Sequence, residues 1–125
     1  MNDLQIVFGA AAKAHSQGVV ILSSPFTSRY GTELATVSVA KRLPTISMFQ
    51  ENVTEGCMMS YGPSLADGYR DMGRLTGRIL KGAKPANLAI QQPSKLELFV
   101  NLKTAKALGL TIPPSVSGRA DRVID

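Results

Sequence analysis

The chain has 125 residues, 44% hydrophobic and 18% charged, which is enough apolar material for one domain with a core and too little length for two ordinary ones. Wholesale disorder is thereby excluded, and so is a membrane-spanning helix, since no apolar run reaches about 18 residues. A single cysteine, Cys57, rules out an intramolecular disulfide framework and a cysteine-based zinc site. The net charge of +5 is unevenly placed. Charges balance over residues 1–62, and the whole excess falls in residues 63–125, which suits either an anionic partner or ordinary solvated faces. The opening stretch, Met1 to Lys13, carries Asp3 and no basic residue ahead of its apolar part, unlike a secretory signal.

Along the chain, two periods alternate. Asp3 is placed to cap a helix with Leu4, Val7, Phe8, Ala11 and Ala14 at helical spacing, ended by Gly18. Val19-Val20-Ile21-Leu22 is an unbroken aliphatic run, as in a strand covered on both faces. Ser23 to Thr27 reads as a loop, because Pro25 disfavours helical geometry at Ser24, so the next helix is expected later, from about Thr32 to Arg42. Thr45 to Phe49 is a second strand, with Glu51 and Glu55 in the loop after it. Cys57 to Tyr61 is a short third strand, broken by Gly62-Pro63. Ser64 then caps the best-marked helix, with Leu65, Tyr69, Met72, Leu75 and Ile79 at spacings of three and four, closed by Gly82. Gly68, Gly73 and Gly77 inside it point to close packing or to a soft helix. A connector, Lys84 to Pro93, leads to a fourth strand, Leu96 to Val100. Asn101 caps a short helix, Leu102 to Leu108, and the tail from Ser115 is polar and helical in part. This βα rhythm with short connections predicts an α/β fold built on a parallel sheet.

Catalytic residues are scarce. His15 is the only imidazole and reads as a helix-end residue. Cys57, in an apolar strand, reads as a buried thiol. Ser60-Tyr61-Gly62 lacks the glycines of a nucleophile elbow, and the pair Glu51 and Glu55 is weak ground for hydrolase chemistry. No phosphate-cradling glycine loop occurs and no cofactor is implied. Arg70, Arg74, Arg78 and Lys81 form a basic stripe, but Asp67 and Asp71 are spaced to pair with it, so a self-compensated helix face accounts for it better than nucleic acid does.

In a parallel α/β sheet, ligands bind beyond the carboxyl ends of strands. Those ends supply Ser24, Pro25 and Phe26; then Phe49, Gln50 and Glu51; then Tyr61 and Gly62. Each brings an aromatic ring with hydrogen-bonding neighbours, which suits a small, partly apolar ligand such as an amino acid. The plainer alternative is that Phe26 and Phe49 are core.

The segments Met59-Ser60-Tyr61-Gly62-Pro63-Ser64-Leu65-Ala66-Asp67 and Ile79-Leu80-Lys81-Gly82-Ala83-Lys84-Pro85-Ala86 carry a family resemblance. So do Gln92-Pro93-Ser94-Lys95-Leu96-Glu97-Leu98, the run Asn101 to Leu110, and the tail Thr111-Ile112-Pro113-Pro114-Ser115 with Arg119-Ala120-Asp121. In this order they resemble the C-terminal part of ABC-transporter substrate-binding proteins of the tryptophan/tyrosine type. The resemblance implies a type I periplasmic-binding-protein fold of two α/β lobes, with a small ligand in the cleft and permease subunits as partners. It implies that residues 1–56 form part of the second lobe, that 57–83 are a crossover strand and helix belonging to the first, and that 84–125 return to the second. Tyr61 and Gly62 fall near a hinge. Ser117 and Gly118 depart from the aliphatic residues usual in the family. The missing leading parts make Met1 look like an internal start or the chain a gene fragment. The resemblance implies a periplasmic home; expressed as given, without a signal, the chain is expected in the cytoplasm. The exposed face of the 64–81 helix is expected to drive self-association. A regulatory effector-binding core of the same fold class is the alternative.

Overall fold

The computed structural model describes residues 2–93 and 95–125; Met1 and Ser94, quoted above, lie outside them. Helix α1 (Asn2–Lys13) leads into β1 (Val19–Ile21), the short α2 (Pro25–Arg29), α3 (Gly31–Ala40) and β2 (Thr45–Ser47). Then come α4 (Gln50–Thr54), β3 (Met59–Pro63) and the long α5 (Leu65–Leu80). After a 3-10 turn at Pro85–Asn87 follow β4 (Leu96–Asn101), α6 (Leu102–Ala107), α7 (Pro114–Ser117) and β5 (Arg122–Ile124). The strands form one five-stranded sheet in the order β1-β2-β3-β4-β5. β1, β2 and β3 run parallel, as the βα rhythm requires, while β4 returns antiparallel to β3 and β5 runs parallel to β4.

The core forms where the amphipathic helices meet the first strand. Leu4 and Phe8 of α1, Ile21 of β1, and Leu34, Ala35 and Val37 of α3 make one cluster with Leu43 and Cys57. Alternation along β1 turns its neighbours the other way, and Val20 is 69% exposed. On the β3–β4 side, Val53 of α4 and Val100 of β4 are fully buried. Several polar side chains are interior as well, Asn101 and Thr104 among them. The Asn101 side chain donates to the Val53 carbonyl at 3.2 Å and accepts the Thr104 N–H at 2.9 Å, capping α6. Thr104 Oγ1 donates to the Gly56 carbonyl at 2.8 Å. These bonds tie the start of α6 to the turn before β3, across 48 positions of sequence.

Three expectations need correction. Ser23–Thr27 is not a loop: the helix α2 begins at Pro25 itself. Proline restricts the residue before it, and Ser24 satisfies that restriction by being the extended N-cap (φ −156°, ψ 162°), with Pro25 in the first turn, where proline is tolerated. Ser24 and Thr27 complete a reciprocal capping box, 2.9 and 3.1 Å. Glu51 likewise lies on α4 rather than in a loop, with Glu55 as its C-cap. Gly62-Pro63 does not break β3, which continues to Pro63 opposite Leu96. β3 is hydrogen-bonded on both sides, to β2 and to β4, and the chain leaves the sheet at Ser64.

The tail holds a strand that its polar composition concealed. β5 is fixed by Asp121, whose N–H donates to the Leu98 carbonyl at 2.8 Å and whose carboxylate accepts the Leu98 N–H at 2.9 Å. The Lys95 ammonium lies 2.6 Å from the same carboxylate. Hydrogen bonding to Lys95, then to Leu98, holds the Asp121 carboxyl below its ordinary range, and the Asp121 bond raises Lys95. A lowered acid lends stability above its unfolded pKa and loses it as pH falls through the folded value. A raised lysine lends stability below its unfolded pKa and loses it as pH rises past the folded one. The latch should thus hold from roughly pH 4 to pH 10. In an NMR titration into acid, the Leu98 amide resonance should move in the wild type and stay nearly fixed in Asp121→Asn.

Candidate functional site

The parallel register Ile21–Ser47–Ser60 brings the carboxyl ends of β1, β2 and β3 to one edge of the sheet. Of the residues expected at a site, those of the first two groups follow the ends of β1 and β2, while Tyr61 and Gly62 lie within the last residues of β3 itself. Ser24 and Pro25 start α2, and Phe26, 51% exposed, packs its ring on Tyr30 with centroids 4.8 Å apart. Phe49 is the extended N-cap of α4, with Gln50 and Glu51 in its first turn. The Ser47 hydroxyl, buried in β2, donates to the Phe49 carbonyl at 3.1 Å and fixes that turn. Tyr61 projects from β3, 54% exposed, while its neighbour Gly62 is buried. Phe26 is thus not core, and Phe49 is only half-buried.

Gly62 has a steric reason to be glycine. A Cβ there would stand 2.2 Å from the Met48 carbonyl oxygen, a backbone atom that cannot swing aside. The close approach of β3 to the end of β2 keeps the Phe49 turn beside Tyr61. Gly62→Ala should push these segments apart and cost about 1–3 kcal/mol, read by urea denaturation.

Beside this edge lies a groove of about 400 Å³ between the first half of α5 and the connector residues Gln91, Gln92, Pro93 and Lys95. Leu65, Tyr69, Met72 and Leu75 supply its apolar wall, with Phe49 and Pro63 at the sheet end. Asp67, Asp71, Gln91, Gln92 and Lys95 add polar groups. Of the expected site residues, the groove takes in Phe49 alone; the others line the open edge next to it. In sequence, the α5 residues have the spacing of a packing stripe and the connector residues carry no motif, so neither marks a groove. That stripe remains uncovered: α5 buries no residue, and Tyr69, Met72, Ile79 and Leu80 are between 42% and 82% exposed. Its charges do pair along the helix as expected, Arg70 with Asp67, and Arg74 with Asp71 at 2.8 Å.

The remaining chemistry is sparse. Among the described residues, no cluster of three or more His, Cys, Asp or Glu could hold a metal, and no helix is long and apolar enough to cross a membrane. His15 is exposed at the end of α1 with φ +56°. Cys57 is fully buried, and loss of hydration pushes its thiol pKa up; a hydrogen bond with Thr45 opposes this and the Glu55 charge adds to it. With so little thiolate, Cys57 should stay unmodified by a thiol-specific reagent at pH 8 in the native protein and react fully in urea.

Residues 1–124 match the family model described as ABC transporter substrate binding protein, and the chain belongs to that family. Among solved structures, it resembles a conserved domain protein from Vibrio cholerae O1 biovar El Tor, with TM-score 0.88 and 23% identity over 98% of this chain and 41% of that one. It also resembles an ABC domain from Streptococcus pneumoniae solved in complex with L-Trp, with TM-score 0.84 and 23% identity over 98% and 42% of the two chains. A ligand-free, open substrate-binding protein with adhesive properties from Clostridium difficile matches at TM-score 0.68 and 15% identity, over 98% and 41%. These likenesses establish the α/β binding-protein fold; the chain spans about two fifths of the length of each. No curated protein matches it in sequence.

Proposed function

We propose that the chain serves as the solute-binding component of an ABC importer, non-catalytic and periplasmic, taking a small ligand such as an amino acid and presenting it to permease subunits. The observation that carries this reading is the convergence of three strand ends on one sheet edge, each with an aromatic or polar contact, beside a groove of ligand size. Family membership and the L-Trp bound to the Streptococcus pneumoniae neighbour support it. Phe26 and Tyr61 offer exposed rings, Gln50 and Ser24 hydrogen-bonding groups, and Glu51 a carboxylate of the charge that a ligand ammonium requires.

Isothermal titration of the chain against the common amino acids is the test. At least one should bind, and Phe26→Ala or Tyr61→Ala should weaken it about tenfold without changing the melting temperature, since both rings are more than half exposed. A flat titration across the whole panel would remove the amino-acid reading.

A further inference from the structure

At the sheet edge opposite the candidate site, two turns carry residues that their backbone disfavours. Helices α1, α3, α4, α5 and α6 end in the same hydrogen-bonded turn, in which one residue takes a left-handed conformation. Glycine is favoured there because it has no Cβ to clash, and α4, α5 and α6 use it, at Gly56, Gly82 and Gly109. By contrast, α1 has His15 at φ +56° and α3 has Arg42 at φ +55°. The bonding is the same: His15 and Ser16 donate to the Ala12 and Ala11 carbonyls, and Arg42 and Leu43 to those of Val39 and Ser38. An imidazole and a guanidinium thus stand where glycine would strain the chain less.

These turns belong to a longer basic edge. Val19 N–H donates to the Pro44 carbonyl at 2.9 Å, Met58 N–H to Thr45 Oγ1 at 3.3 Å, and Asn101 N–H to the Met58 carbonyl at 2.8 Å. One line of bonds therefore joins the amino ends of β1, β2 and β3 to the carboxyl end of β4. Lys13, Lys41 and Arg42 reach this edge from α1 and α3, and Lys103 and Lys106 from α6; all are exposed. None forms a salt bridge with another described residue. The acids of the same helices lie at the other edge, with Asp3, Glu33 and Glu51 in the first turns of α1, α3 and α4. Glu55 lies against Gly31, at the start of α3, and Asp125 follows β5. The preference of cations for helix C-termini covers Lys13, Lys41 and Arg42. It does not cover Lys103, which sits in the first turn of α6, where the helix dipole disfavours it.

We propose that this amino edge is a docking surface for an anionic lipid bilayer. All of its cations but Arg42 are lysines, compact hydrated charges that suit a diffuse field of headgroups. Stacking on nucleic-acid bases needs rings, and the exposed rings Phe26, Tyr61 and Tyr69 stand at or beyond the opposite edge. A bilayer at the amino edge leaves that opposite edge free, so the proposal stands whether or not an amino acid binds there.

Co-sedimentation of the full chain with lipid vesicles is the test. Phosphatidylcholine vesicles with about 30% phosphatidylglycerol should retain the chain at low salt and release it at about 0.5 M NaCl, while phosphatidylcholine alone should not retain it. Arg42→Gly should weaken retention about fivefold and leave the melting temperature unchanged or raised, because glycine relieves the left-handed turn. Lys103→Glu should weaken it at least as much, in a fold that stays intact because an acid suits the first turn of α6. Arg78→Gln, on α5, should leave retention unchanged. Equal retention by neutral vesicles would assign binding to the apolar face of α5 and overturns the proposal. Retention unmoved by Arg42→Gly and Lys103→Glu, or weakened as much by Arg78→Gln, overturns it too. So does failure to bind the anionic vesicles, whether or not heparin captures the chain.

Discussion

The antiparallel ladder between β3 and β4 is the constraint from which the rest of the architecture follows. It pairs Met59 with Val100 and runs without a gap to Pro63 opposite Leu96. The chain therefore departs and returns at one corner of the sheet, and residues 64–95 make their excursion from that point. Ser64 turns the chain into α5 by capping it, its hydroxyl accepting the Asp67 N–H at 3.3 Å. Lys95 closes the excursion by bonding to Asp121 on the far side of β4. Because both ends are pinned, α5 and the connector face each other, and a groove opens between them at the edge where the parallel strands end.

The opposite end of the ladder is held as firmly by polar groups. Asn101 donates its backbone N–H to the Met58 carbonyl and uses its side chain to satisfy both Val53 and Thr104. A buried amide with both functions used is worth more than its pairwise bonds, since losing either partner would strand a polar group in the interior. Ser47, at the same edge as Phe49, plays the corresponding role for the α4 turn. Buried polar residues, more than apolar ones, thus decide where the loops of the site stand. Among the described residues, no buried side-chain nitrogen or oxygen lacks a partner.

Much of the scaffold was legible in the residues. The hydrophobic period located α1, α3 and α5, the aliphatic runs located β1, β2 and β4, and the caps at Ser64 and Asn101 mark the helices they begin. The errors share a physical origin. Pro25 and Pro63 read locally as breaks, but proline forbids only a helical predecessor and a ladder donor, and neither is required at the first turn of a helix or the last residue of a strand. β5 was missed because an exposed strand carries no apolar signature; Arg122 and Val123 are both exposed, and backbone pairing with β4 makes the strand. The edge residues of the site were legible because they sit at or just beyond the carboxyl-terminal part of each parallel strand. The groove was not, because its wall is the apolar face of a helix, and a stripe at helical spacing reads the same whether it meets a core, a ligand or water.

The 125 residues, their apolar share and their alternating periods determined an α/β chain with parallel strands, and the motif order from Met59 onward determined the family, since both depend on local spacing along the chain. Charge is where tertiary structure decided. The +5 excess in the second half says nothing about the groove, where a lysine 26 positions before Asp121 in sequence is drawn to it and neutralised. Strand direction after β3, the place of the tail in the sheet, and which carboxylates face a cavity depend on contacts between distant segments. Composition sums charges and apolar area over the whole chain; only the fold decides which of them meet.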